Sequence, residues 1–72
     1  VSMPLVMAPV DTEMEVKKIS ADEKTKKHLR ELGIAETCKL TLLSASPKGV
    51  IVIVKEGRLC LDGALARKIL VA

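Results

Sequence analysis

No phenylalanine, tryptophan or tyrosine occurs in the 72 residues. Single-stranded nucleic acid is usually held on aromatic platforms where bases stack, so this absence argues against that mode of binding. Cysteine is scarce: Cys38 and Cys60 stand too far apart for a CxxC redox pair or half a zinc site. Both lie in apolar strand-like stretches and are expected to be reduced core residues. A disulfide would need an oxidising compartment, and no secretory signal points to one. The apolar start VSMPLVMAPV has two prolines and no basic n-region, and is too short for a span of ~20 residues. Met3 is expected to be the native start, with Val1 and Ser2 added ahead of it.

The motifs of common chemistries are missing as well. Gly33, Gly49, Gly57 and Gly63 are isolated turn or cap residues, which excludes a glycine-rich phosphate cradle. His28 is the one histidine, and it sits on a basic stretch without a patterned acid or thiol, as an ordinary helix residue would. No HxxE, ExxH or DxD cluster offers a divalent cation its ligands. The expectation is therefore no catalytic centre, no metal site and no cofactor: the chain is not an enzyme.

What is present suits a small packed domain. Hydrophobic residues make up 49% and charged residues 29%, a balance that supports a core and argues against disorder. The length allows one domain, residues 1–72. Twelve basic against nine acidic residues give a net charge of +3, a mixed surface with a modest basic bias.

Along the chain, Pro4 to Ala8 reads as a short edge strand or extended arm ended by Pro9. Met14 to Ile19 alternates as a strand, but Ile19 falls out of phase, and a β-bulge near Lys17 and Lys18 restores it. Ser20-Ala21-Asp22-Glu23 has capping-box spacing and predicts a helix from Ala21. Its apolar stripe is Thr25, Leu29 and Leu32, and Gly33-Ile34 predicts a Schellman ending. Thr37 to Ser44 alternates again, with Cys38, Leu40 and Leu42 on one face. Ser46 to Gly49 is a turn. Val50 to Val54 is an unbroken β-branched run, expected to be a central strand buried on both faces. Glu56-Gly57 forms a tight hairpin into Arg58 to Leu61. Asp62 caps a short helical turn with Leu65, Ala66 and Ile69 available to plug a barrel end, and Ile69 to Val71 is the last strand. No repeat, low-complexity stretch or linker interrupts this order.

One asymmetry of charge stands out. From Lys17 to Arg30 six basic residues face only Asp22 and Glu23. A solvated helix face accounts for most such runs. A basic face also steers an acidic partner at long range. The candidate partner-binding residues are accordingly Lys24, Lys26, Lys27, Arg30 and Gly33.

The run KTKKHLRELGI from Lys24 to Ile34, then strand, turn, the apolar strand Val50 to Val54, the strand Leu59 to Leu61, Ala66 and Ile69 to Val71, resembles the FeoA family. These are small cytosolic companions of the ferrous iron transporter FeoB. The resemblance covers nearly the whole chain. It departs at Ala35-Glu36, where the family often has Pro-Gly, and at Val10 to Met14, where the family has glycines near its first turn. What it implies is a mainly β fold: a small SH3-like barrel of five to six strands with one inserted α-helix and a short C-terminal helical turn. It also implies a cytoplasmic, non-catalytic accessory or regulator of ferrous iron uptake, acting by contact with FeoB and peripheral to the membrane only through that partner. The family's tie to iron carries transition metal ion binding with it, although no ligands can be assigned here.

Three alternatives stand beside this reading. A basic small barrel could bind nucleic acid, though none is expected as a partner. Cys38, Cys60 and His28 could sense a metal. A related barrel also forms the C-terminal domain of metal-dependent repressors, as their metal-responsive module; no helix-turn-helix precedes it here, which favours a stand-alone protein. An exposed edge over Pro4 to Ala8 could pair between chains as a homo-oligomer.

Overall fold

The computed structural model describes residues 2–55 and 57–72. Six strands run in chain order: β1 (Met3–Pro4), β2 (Glu13–Ile19), β3 (Lys39–Ser46), β4 (Gly49–Val54), β5 (Gly57–Asp62) and β6 (Ile69–Val71). Helix α1 (Glu23–Glu31) is inserted between β2 and β3, and the short α2 (Gly63–Ala66) between β5 and β6. All neighbours in the order β1-β6-β2-β3-β4-β5 are antiparallel. This is the expected mainly β, SH3-like barrel with one inserted helix and a short helical turn near its end.

Strand β2 bends the sheet on itself. Glu13, Met14 and Glu15 pair with β3, whereas Val16, Lys18 and Ile19 pair with β6. The register shifts between Val16 and Lys18, so Lys17 is the extra residue of the expected bulge, and Val16 and Ile19 both enter the core. A bulge adds local twist, which lets one strand serve both halves of the barrel. A second shift between Leu42 and Ser44 curls β3 in the same way. The interior is closed by apolar side chains alone, with no buried polar or charged residue among the described ones.

Helix α1 starts later than the sequence predicts. Asp22, not Ser20, is its N-cap: the Asp22 carboxylate accepts a hydrogen bond of 2.8 Å from the Thr25 N–H. Ser20 is still held by the barrel, its N–H bonded to the Lys68 carbonyl at 2.7 Å. Ser20 thus stays with the barrel, and the first helical turn begins after Asp22. The helix end matches expectation in full. The Ile34 N–H reaches the Leu29 carbonyl at 2.9 Å and the Gly33 N–H the Arg30 carbonyl at 3.0 Å, with Gly33 at φ +97°. These are the two bonds of a Schellman motif, and the buried Leu29 and Ile34 supply its apolar contact. Asp62 caps α2 as expected, accepting from the Leu65 N–H at 2.7 Å.

Four other expectations are corrected. Only Met3 and Pro4 of the first segment pair, with Val71 and Leu70; a 3-10 turn (Leu5–Met7) follows, because proline cannot extend the ladder and the buried Leu5 pins the chain across the core. Strand β3 begins at Lys39 rather than Thr37, whose φ of +77° is incompatible with a strand. Strand β4 is central but buried on one face only: Val50, Val52 and Val54 point inward, Ile51 is half-buried, and Ile53 is 42% exposed. A single sheet curled around one core has an outer surface, and no second layer covers it here. For the same reason Cys60 is exposed and Cys38 half-buried, not core residues. Cys60 alternates with Leu59 and the buried Leu61, so the period of two turns it outward. The two thiols are free. In the hairpin before β5, Val54 pairs with Gly57, at φ +130°; Glu56 lies outside the described residues.

Candidate docking groove

The five residues expected to meet a partner do not share one face. Along α1, Lys26, Arg30 and Gly33 follow one another at spacings of four and three and form one stripe, while Lys24 and Lys27 lie on another. The first stripe borders the barrel. Arg30 and Gly33 line a groove of about 550 Å³ whose other walls are Ala35 and Cys38 from the loop after α1, Lys39 and Thr41 from β3, Glu13 from β2, and Ile53 and Lys55 from β4. The buried Leu40 and Val54 reach it from below. Lys26 and Arg30 also border a smaller recess of about 300 Å³ with Ile19, Glu23, Ala35 and Glu36. Lys24 and Lys27 line neither and are exposed.

The groove joins two chemistries. Glu13 pairs across the ladder with Thr41, Thr41 with Ile53, and Ile53 with Arg58, so one outward row runs from β2 to β5 with an isoleucine at its centre. Around that apolar centre stand Arg30, Lys39 and Lys55, against the single carboxylate of Glu13. The one ion pair among the described residues, Lys17 to Glu15 at 3.5 Å, involves none of them. An apolar anchor within a ring of cations favours a partner segment that brings an apolar side chain flanked by acids.

The residues that the sequence alone did not single out are Ile53, Lys39 and Lys55. The signal was available: strict alternation across Val50 to Val54 would have put Ile51 and Ile53 outside. The uniformly β-branched run hid it.

The other candidates scatter. Cys38 lies in the groove, Cys60 on the outer face of β5 beside Ile51, and His28 is exposed on α1. Among the described residues no three His, Cys, Asp or Glu side chains stand together as a metal would need. No helix of the described residues is long and apolar enough to cross a membrane. The Asp22 carboxyl is held below its ordinary range by hydrogen bonds from Thr25, side chain first and backbone second. It serves the cap, away from the groove.

Comparison with known proteins agrees with this architecture. The FeoA domain model matches residues 3–72. The structure superposes on an iron uptake regulatory protein (FeoA) with a TM-score of 0.88 at 21% identity, covering 99% of this chain and 96% of that one. It is similar to the FeoA protein of Chlorobium tepidum, with a TM-score of 0.81 at 25% identity over 96% of this chain and 68% of that one. A manganese-dependent transcriptional repressor contains the same fold, with a TM-score of 0.87 at 20% identity over 99% of this chain and 41% of the repressor. No curated protein matches the chain significantly.

Proposed function

The chain belongs to the FeoA family, associated with ferrous iron transport, and from that premise we propose that it is a non-catalytic cytoplasmic accessory that acts by protein contact with the FeoB transporter. The observation that carries the reading is Ile53, 42% exposed in mid-sheet and ringed by Arg30, Lys39 and Lys55. Met7 and Val10 are more exposed, but Ile53 differs from them in lying within a groove, beside Ala35 and Cys38 and above Leu40 and Val54, so it belongs to a concave apolar patch rather than standing singly. An acidic segment with an apolar side chain would meet both features, and the cytosolic part of a transporter is a surface where such a segment is accessible. On this reading Arg30 and Gly33 belong to the contact, Lys26 flanks it, and Lys24 and Lys27 contribute only long-range attraction.

The test is an NMR titration of the labelled chain with the cytosolic region of FeoB. Shifts should centre on Arg30, Gly33, Lys39, Ile53 and Lys55, and Ile53→Lys should weaken binding by about tenfold or more, as loss of a buried anchor does. Absence of binding, or shifts confined to the Lys24 and Lys27 face, would sink the proposal.

A further inference from the structure

The two edges of the sheet are built differently. At one edge, β1 is two residues long and contains Pro4, so it offers almost nothing to a foreign strand. At the other, β5 is six residues long, contains no proline and pairs with β4 through six consecutive positions without a bulge. Long, flat, unprotected edges are what natural sheets usually avoid. The segment from Pro4 to Ala8, expected as an edge for a second copy, has only two paired residues, and the longer edge is β5.

The phase of the ladder shows what that edge presents. The Gly63 N–H bonds the Lys48 carbonyl at 2.9 Å. Hydrogen-bonded pairs alternate along an antiparallel ladder, so Leu61, Leu59 and Gly57 also turn their backbone groups towards β4. Arg58, Cys60 and Asp62 then turn theirs away, and outside the strand ladders none of those N–H groups donates a hydrogen bond among the described residues. All three residues are exposed.

From this we propose that β5 is a homodimerisation edge, pairing antiparallel with β5 of a second copy in the register centred on Cys60. Outward groups meet outward groups only where residues of like parity face each other. Among those registers, the one centred on Cys60 sets Arg58 opposite Asp62 of the second copy, twice by symmetry. A shift of the centre to Leu59 or Leu61 would leave one charge of each chain facing a thiol. The strand is therefore complementary to itself in charge as well as in backbone, as a two-fold interface requires. A foreign strand would need that pattern by coincidence. Neither Arg58 nor Asp62 forms an ion pair among the described residues. Arg58 neighbours Ile53 across the ladder without lining the groove, whereas Asp62 stands at the far end of β5, where it also caps α2.

The experiment is sedimentation of the whole chain over a concentration series, beside two variants. Wild type should rise from 7.8 kDa towards twice that mass. Cys60→Pro removes an outward N–H without touching the bonds to β4, and Arg58→Asp places two carboxylates opposite each other; each should weaken association about tenfold or more. Unchanged far-ultraviolet spectra and melting verify that the variants fold, and Arg58→Asp serves alone if the proline variant does not. In a Cys38→Ser background a short bis-maleimide should join chains through Cys60, and the Arg58 and Cys60 amides should exchange more slowly as concentration rises. A monomer at every concentration, a dimer that both folded variants retain, or amide protection lying elsewhere would overturn the proposal.

Discussion

Two residues hold backbone that their side chains dislike. Asp11 and Thr37 have φ of +59° and +77°, and both lie in or next to the segments where the family's glycines or Pro-Gly pair are replaced. Thr37 is the more strained, since a branched Cβ crowds the left-handed region. It is held there by its N–H on the Val16 carbonyl and by the Val16 N–H on the Cys38 carbonyl, each 2.8 Å. Such a conformation costs of order 1–3 kcal/mol, while glycine's extra chain entropy costs about 0.5–1 kcal/mol. Relief wins, so Thr37→Gly should raise stability by about 1 kcal/mol in urea unfolding. At Asp22 the carboxyl is held below its ordinary 3.8 by the Thr25 hydrogen bonds. A depressed carboxyl contributes its stability fully above the ordinary value and loses it as pH falls through the lowered one. The Asp22 side chain followed by NMR should titrate below 3.8, and Thr25→Ala should move the midpoint back towards it. Neither effect is visible in the sequence, which shows residue types and not the torsions they are held in.

Among the elements, the bulge in β2 makes the clearest case that a pattern can carry geometry. Met14, Val16 and Ile19 break a period of two by one residue, and the structure places the extra residue at Lys17, where the sequence puts it. Its side chain is exposed and its position is what counts. Lys17→Ala should change stability by no more than about 0.5 kcal/mol. Deleting Lys17 leaves Val16, Lys18 and Ile19 in a plain period of two, so both apolar side chains still face the core, but it removes the bulge and the twist that lets β2 serve both halves of the barrel. The cost should exceed that of Lys17→Ala by about 1 kcal/mol or more. Comparing the two urea midpoints checks this. The end of α1 was equally legible, because a Schellman ending is set by neighbours in sequence. Its start was not: Ser20 and Asp22 are both competent caps, and the choice fell to the Lys68 carbonyl, which claims the Ser20 N–H from across the barrel.

For the molecule as a whole, the net charge of +3 and the cations Arg30, Lys39 and Lys55 around Ile53 act on encounter more than on final affinity. Binding to an acidic partner should slow in association several-fold between low and physiological salt, where screening reaches about 8–10 Å, while dissociation changes little. Stopped-flow measurement at two salt concentrations separates the two rates, and an unchanged association rate would count against the role of Arg30, Lys39 and Lys55. The sequence by itself determined the mainly β class, the inserted helix with its glycine ending, the bulge and the turns, because each depends on residues a few positions apart. It also supplied the basic stripe from which Arg30 and Gly33 survive as groove residues. Only the tertiary structure decided which side of β4 and β5 faces outward, and hence that Ile53 and Cys60 lie on the surface. Inside and outside are properties of a closed sheet, and a run of branched side chains reads the same from either face until the barrel curls around one of them.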